Sequence, residues 1–326
     1  MIIEFTAAPG FDFITRFEKL INAPLRDNFL QIPSTVGTGY VRKVGFGEDF
    51  KLTIHHYNLR EDLIIKRNPA EKANDIRTLF FYNNTEDLEV RCNNEANRLF
   101  APKKESLIIL STNDLRTEIR FPAGSNIHYM VVGITANRLR SVLSIENPND
   151  TIKTIVAEDA SFLFFESLNP EMQLLLKNIV SVDMNSPMNT FYVQIKVQEL
   201  MYLLFTKLSL RENTPIKNIN SNDAEKLLVI RNEILIDLST PPVISKLAAI
   251  ASMSETKLKQ LFKQTFGDTI YNYFQKARME EAAFLLKQAK HSVAEVGYEL
   301  GYSNLSHFSK FFQKQYGVTP KKFSST

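Results

Sequence analysis

Two stretches near the C-terminal end of this chain repeat one another at an offset of 49 to 50 residues. Ile244-Ser-Lys-Leu-Ala-Ala-Ile-Ala-Ser-Met-Ser254 returns in pattern as Val293-Ala-Glu-Val-Gly-Tyr-Glu-Leu-Gly-Tyr-Ser303. Leu258-Lys-Gln-Leu-Phe-Lys-Gln-Thr-Phe-Gly267 returns as Phe308-Ser-Lys-Phe-Phe-Gln-Lys-Gln-Tyr-Gly317. A period of this size marks a duplicated supersecondary unit, and such a unit constrains the fold more than any composition does. Each copy reads as a short helix, a tight turn, and a second helix opened by a serine cap. That is the layout of a helix-turn-helix, whose second helix fits a DNA major groove.

Apolar and polar positions divide cleanly within the repeats. Leu247, Ala248, Leu258, Leu261 and Phe262 recur at helical spacing and are expected to face a core. Ala248 matches Gly297, a position where a small residue lets two helices approach. The remaining face of the first reading helix, capped by Ser254, carries Glu255, Thr256, Lys257, Lys259, Gln260 and Lys263. The second presents Asn304, Ser306, His307, Lys310 and Lys314. Glutamine can bond bidentately to adenine, lysine to guanine or phosphate, and a helix N-terminus favours phosphate. Lys and Gln also populate any solvated helix face, so a single such face says little; two in duplicated frames say more. Between the units, Thr269 to about Lys287 reads as one continuous helix. At about 1.5 Å per residue it would span roughly 30 Å, close to the roughly 34 Å turn of B-DNA.

Charge supports this reading without carrying it. The chain's net charge is +3, but residues 240–326 hold 12 basic and 6 acidic groups, against 27 and 30 in residues 1–239. A basic C-terminal third on a slightly acidic body suits contact with a polyanion. The single cysteine, Cys92, rules out a disulfide framework and any multi-cysteine metal site, and it reads as structural. The N-terminal run Met1-Ile-Ile-Glu-Phe-Thr lacks the features of a secretory signal, and the longest apolar runs, such as Leu107 to Leu110, are too short to span a bilayer. A soluble, cytoplasmic protein is expected.

The first two-thirds change character twice. Residues 36–140 hold short runs rich in Val, Ile, Thr, Tyr and Phe: Lys51–Tyr57, Leu63–Lys66, Arg77–Tyr82, Ser106–Ser111, Glu118–Phe121 and Tyr129–Val132. Turn-formers such as Asn83-Asn84 and Ala123-Gly-Ser-Asn126 separate several of them, which argues for a β-sandwich or barrel over residues 1–168. From about residue 169 the period becomes helical. Pro170 opens one helix after Asn169, and Thr190 to Leu210 gives a longer one with Val193, Val197, Leu200, Met201, Leu204 and Leu208 on one side. This pair, residues 169–210, suits either covering the β-domain or meeting a second copy of the chain. Residues 211–222 are polar, asparagine-rich and broken by Pro215, and form the best linker. Asn222 is expected to cap a helix from about Asp223 to Leu238, and Pro241-Pro242 to end the connection to the first reader.

At this point a resemblance is specific. Lys276-Ala-Arg278-Met-Glu-Glu-Ala282-Ala-Phe-Leu285-Leu286, then Val293 to Ser303, then His307-Phe-Ser-Lys-Phe-Phe-Gln-Lys-Gln-Tyr-Gly317-Val-Thr-Pro320, resembles the AraC/XylS family of bacterial transcriptional regulators over roughly residues 223–324. The resemblance implies a seven-helix domain, residues 223–326, reading two adjacent major grooves of double-stranded DNA. It places Thr256, Lys257, Lys259 and Gln260 near bases in one groove. It places Ser306, His307 and Lys310 in the other, with Ser303 and Asn304 at the phosphate-facing helix start. Family members often carry a cupin-like β-barrel for a small effector, followed by helices that dimerise. The implied fold is therefore a multidomain α+β protein with a cupin-like N-terminal domain and an all-α C-terminal domain with two helix-turn-helix motifs.

No sharp motif supports the N-terminal half of that resemblance. His55 and His56 are adjacent, so on a strand they point to opposite faces and cannot both ligate one metal. His128 reads as isolated, and no metal or other cofactor is expected. Phe80, Tyr82, Phe121 and Tyr129 are candidates to line an effector pocket, although packed core is the commoner fate of such residues. No phosphate loop, nucleophile elbow or supported acid pair points to an enzyme. The leading expectation is a ligand-responsive regulator whose partners are operator DNA, a small effector, RNA polymerase and a second copy of the chain. The alternatives are a constitutive regulator whose N-terminal domain only dimerises, and a cupin-type enzyme with an appended DNA-binding domain. Whether transcription rises or falls depends on where the site lies relative to polymerase, which the chain does not encode.

Overall fold

The computed structural model describes residues 1–326 except 7–10, 70–74, 83–88, 92–98, 101–105, 183–185, 187, 213–215, 289–290 and 326. The side chains of 89–91 and 99–100 are likewise outside the description, and so is Cys92. The chain forms two compact units, Met1–Glu225 and Lys226–Thr326. The first is mixed α and β around a large sheet; the second is helical.

In chain order the first unit comprises β1 (Ile2–Thr6), α1 (Phe13–Ile21), β2 (Leu25–Arg26), β3 (Phe29–Gln31), β4 (Gly37–Gly45), β5 (Phe50–Leu59), β6 (Leu63–Asn68) and β7 (Ile76–Tyr82). Then come β8 (Glu89–Arg91), β9 (Leu99–Phe100), β10 (Leu107–Thr112), β11 (Thr117–Phe121), β12 (Asn126–Thr135), α2 (Ala136–Leu143), α3 (Asp150–Val156), β13 (Leu163–Ser167), α4 (Pro170–Val180) and α5 (Met188–Ser209). All six apolar runs singled out in the sequence fall on strands, with Ser106 alone lying just outside β10. β1, α1 and β13 were not anticipated, because each is short and is held by pairing or packing with residues distant in sequence. β1, for example, pairs in parallel with β6, Ile3 opposite Ile65.

Eight strands form one sheet in the order β13-β10-β7-β12-β5-β4-β3-β2, and five form a second in the order β1-β6-β11-β8-β9. The side-chain period of two along β5 and β12 gives the large sheet two buried faces. On one, Leu52 and Ile54 of β5 and Met130 and Val132 of β12 join Leu139 of α2, Ile152 and Ile155 of α3, and the inner sides of α4 and α5. On the other, Tyr57 and Leu59 of β5 and Ile127 and Tyr129 of β12 meet α1 and residues of the smaller sheet, among them Ile3, Leu63 and Phe121. The first unit is thus layered: small sheet with α1, large sheet, helices.

The helical stripe of α5 covers the large sheet, one of the two compatible readings that the sequence left open. Val193, Val197, Leu200, Met201, Leu204 and Leu208 are all at most 1% exposed and belong to the core of the large sheet. Each such burial is worth about 1.5–3 kcal/mol relative to exposure, which is why the stripe goes to the sheet. A different row of α5, Met188, Phe191, Tyr192, Ile195 and Tyr202, remains exposed. α4 begins as expected, with the Asn169 side chain accepting from the Met172 amide and Pro170 in the first turn.

The described part of the expected linker is docked rather than free. Arg211 pairs with Glu166 at 2.8 Å, and the Asn149 amide donates to the Leu208 carbonyl at 2.9 Å. Further on, the Ile219 amide donates to the Ser161 carbonyl at 3.1 Å and the Ser161 hydroxyl to the Ile219 carbonyl at 2.7 Å. Ile219 itself is buried. One apolar anchor flanked by satisfied backbone groups holds a segment whose composition reads as loop. The next helix, α6 (Ser221–Ile236), is capped by Asn220, whose side chain accepts from the Asp223 amide at 2.8 Å, and not by Asn222. A cap accepts from the second or third helical amide, and Asn222 already lies inside the first turn.

Candidate nucleic-acid interface

Six helices follow α6: α7 (Ile244–Ala251), α8 (Glu255–Phe266), α9 (Ile270–Lys287), α10 (Val293–Glu299), α11 (Leu305–Tyr316) and α12 (Pro320–Phe323). The α7–α8 and α10–α11 pairs correspond in detail. α8 and α11 are each 12 residues long and each ends in a left-handed glycine, Gly267 and Gly317. After that glycine a threonine side chain, Thr269 or Thr319, caps the next helix by accepting from the amide three residues on, Asn272 or Lys322. Glycine suits such ends because it has no Cβ to clash in that conformation.

The turns between the paired helices also correspond, with one inserted residue. In the first, Ser252 adopts φ 50° and the Met253 amide donates to the Ala248 carbonyl at 3.0 Å. In the second, Gly301 adopts φ 76° and the Tyr302 amide donates to the Gly297 carbonyl at 2.9 Å. Up to this point the offset is 49. Beyond it the offset is 50, because the cap of α8 is Ser254 while that of α11 is Asn304. Ser303, expected as the second serine cap, therefore lies one residue outside its helix. The Asn304 side chain accepts from the Ser306 amide at 2.9 Å, so it is engaged by its own helix start. Asparagine and serine cap about equally well, which is why the pattern survives the shift.

Every expected reading residue lies on the water-facing side of its helix or at its start. Ser254, Thr256, Lys257 and Lys259 are exposed, with Gln260 and Lys263 partly so, while Leu258, Leu261, Phe262 and Phe266 are buried. On α11 and its cap, Ser303, Asn304, Ser306, His307, Lys310 and Lys314 are exposed and Phe308 and Phe312 are buried. Lys259 pairs with Glu255 one turn earlier at 3.1 Å, an exposed contact worth little. The two faces also differ. Gln264 is buried, whereas its counterpart Lys314 is exposed and adds a cation to the second face only.

α9 carries the two pairs. Its 18 residues make a rod of about 27 Å. Near its start Tyr273 touches the rings of Phe262 and Phe266 of α8 at 5.4 and 5.5 Å. Toward its end Met279, Ala282, Ala283 and Leu286 share a core with Val296, Leu300, Tyr302, Phe308 and Phe312. Arg278 fixes the second turn to this rod. Its guanidinium lies 5.0 Å from the Phe274 ring and 3.9 Å from the Tyr302 ring and donates to the Leu300 carbonyl. Tyr302 in turn donates to the Gln275 side chain at 2.7 Å. Burial raises the Tyr302 phenol above its usual range, with Arg278 opposing, so the phenol stays a neutral donor. Arg278 stood inside a sequence motif, but nothing in its spacing assigned it this stacked role.

The four aromatics expected near an effector do come together in the first unit. Phe121 stacks on Tyr129 at 5.3 Å, Phe80 lies 4.9 Å from Tyr129, and Phe80 stacks with Tyr82 at 6.2 Å. All four are at most 7% exposed, so they pack as core. His55, missed as a member, stacks on Tyr129 at 4.0 Å, and the Tyr57 hydroxyl lies 3.3 Å from that of Tyr129 and 3.5 Å from His55 Nδ1. Burial pushes the His55 pKa down to about 3, so its ring is neutral. His55 and His56 do face opposite sides of the sheet, but His128 is not isolated. It stands directly across the β5–β12 ladder from His56.

The C-terminal unit thus presents two exposed helix faces that carry lysines. A profile described as a helix-turn-helix domain matches residues 247–326. Over 80 residues the chain is 36% identical to an uncharacterized HTH-type transcriptional regulator of Haemophilus influenzae and 35% identical to the HTH-type transcriptional regulator MtrA of Neisseria gonorrhoeae. Each alignment covers 24% of this chain and 27% of the relative. It is 28% identical over 129 residues to the HTH-type transcriptional activator RhaR of Escherichia coli, covering 38% of this chain and 46% of that one. The motif runs at 276–286, 293–303 and 307–320 all lie within the residues that this helix-turn-helix profile matches. The chain spans between about a quarter and a half of the length of these relatives.

Proposed function

We propose that the chain is a sequence-specific DNA-binding transcriptional regulator in which α7–α8 and α10–α11 are two helix-turn-helix readers. The observation that carries this reading is the correspondence of α8 and α11: equal length, capped start, glycine end, and polar outward residues at the matched positions Thr256 and Ser306, Lys257 and His307, and Gln260 and Lys310. Thr256, Lys257, Lys259 and Gln260 then contact bases in one major groove, and Ser306, His307 and Lys310 in the next. Lys263 and Lys314, further along the helices, meet phosphate, as do the capped starts at Ser254 and Asn304 and the neighbouring Ser303. An α9 rod of about 27 Å suits readers spaced by about one helical turn of DNA.

The N-terminal unit takes the role of a cupin-like effector domain in this reading. Support comes from the polar His55–Tyr57–Tyr129 group set among Phe80, Tyr82 and Phe121 between two sheets. An effector there must favour one arrangement of the chain over another, since equal affinity for both shifts nothing. Dimerisation through the exposed row of α5 and contact with RNA polymerase complete the proposal. Selection of bound sequences from randomised duplex DNA with the full-length chain tests it. Two short motifs about 10 base pairs apart are expected, and a doubled site if the chain pairs. Enrichment of no sequence above background would overturn the assignment.

A further inference from the structure

The helix-side face of the large sheet carries a histidine pair that serves neither core. Along this face Ile54 lies opposite Met130, and one pleat further on His56 lies opposite His128. The two imidazole centroids are 5.2 Å apart with their planes inclined by 41°. His56 is exposed and His128 half-buried. Among the described residues neither ring makes a hydrogen bond or ion pair. Two of the chain's five histidines thus hold their rings side by side, fixed by the register of two long strands.

That spacing matches chelation. Two imidazoles holding one ion at metal–nitrogen distances of about 2.0–2.1 Å in a tetrahedral arrangement have ring centres roughly 5 Å apart. Only ring rotation is then needed, with no movement of strands. We propose that His56 and His128 form a two-imidazole binding site for a borderline divalent transition ion, Zn2+, Ni2+ or Cu2+, with water completing the coordination. Nitrogen donors select these ions over Mg2+ and Ca2+, which require oxygen. No third His, Cys, Asp or Glu joins the pair among the described residues, so the protein supplies two ligands. The site is separate from the DNA-reading helices and does not rest on the regulator assignment.

The surroundings set its strength. The charge of Lys177 is felt at His128. Tyr40 of β4 stands edge-on to His56 at 5.6 Å, with its hydroxyl donated to the Val180 carbonyl at 3.4 Å. Lys177 of α4 is the charged neighbour, and its repulsion opposes a bound cation.

The test uses untagged full-length protein at pH 7.5, titrated calorimetrically with Ni2+ and Zn2+. One ion per chain is expected at this site. His56→Gln and His128→Gln should each weaken it at least tenfold, His307→Gln should leave it unchanged, and Lys177→Gln should tighten it. As a second readout, substoichiometric Ni2+ or Cu2+ should broaden the imidazole proton resonances of His56 and His128 before those of His291 and His307, which needs no variant to fold. Binding that survives both His56→Gln and His128→Gln, or broadening confined to His291 and His307, would overturn the proposal.

Discussion

Gly301 is the position where the two helix pairs make different demands, and replacing it with alanine separates two physical effects. Its counterpart Ser252 adopts the same left-handed conformation with a side chain, at φ 50°. The conformation therefore costs the fold something it already tolerates at the matching position, about 1–2 kcal/mol for a non-glycine residue. About 0.4–1 kcal/mol of that is returned, because alanine narrows the unfolded ensemble. What distinguishes Gly301 is space. A Cβ there would lie 1.9 Å from the Ser239 carbonyl oxygen. Ser239 cannot easily withdraw, since its amide and hydroxyl both bond the Asp237 carboxylate, at 2.8 and 2.6 Å. Displacing a packed backbone costs about 1–3 kcal/mol, for a net loss of roughly 1–4.5 kcal/mol. Urea unfolding of the full-length chain followed by circular dichroism at 222 nm should show this loss for Gly301→Ala. Ser252→Gly should change stability by less than about 1 kcal/mol, because relief of left-handed strain and added chain entropy oppose each other. A Gly301→Ala loss under 1 kcal/mol would refute the steric argument and leave conformation as the only role of this glycine.

Other perturbations have defined outcomes. His55 is neutral in the fold, with its pKa near 3, and takes up a proton on unfolding below about 6.5, so its stabilisation is complete above that pH and drains as pH falls. Between pH 6.5 and 5 the loss is about 2 kcal/mol at about 1.36 kcal/mol per unit, and His55→Phe should remove this component from the difference between denaturation midpoints measured across pH 5 to 7.5. Ser254→Ala and Asn304→Ala should each cost about 1 kcal/mol in thermal unfolding, whereas Ser303→Ala should cost almost nothing, since only the first two cap a helix. Lys259→Ala or Gln260→Ala should cost about 1–3 kcal/mol on the selected DNA site and relax preference there, while Lys263→Ala and Lys314→Ala should weaken all sequences alike and flatten the salt dependence of binding. Four variants behaving identically in a binding titration would remove the division between base and phosphate contacts.

The duplicated C-terminal units were readable from the chain because everything that shapes them is local. Helical spacing, a capping side chain accepting from an amide two or three residues on, and a glycine at a helix end are all set within one or two turns. The same locality explains why the strand runs and the Asn169–Pro170 start were found at nearly the right residues. The misses share a different cause. The cap at Asn304 moved by one residue because the turn at Gly301 is a residue longer, and composition does not register a single inserted residue. The docking of residues 211–222 was not legible in the sequence because Ile219 and Arg211 find their partners, Ser161 and Glu166, about 45 to 58 positions away. His128 looked isolated because its neighbour across the ladder is 72 positions upstream, and His55 was not placed with Tyr129 for the same reason. Local free-energy differences write secondary structure and capping into the order of residues. Which strand lies beside which, which face of α5 is spent on the core, and which glycine must admit a distant carbonyl follow from packing the whole chain, where burial outweighs local preference.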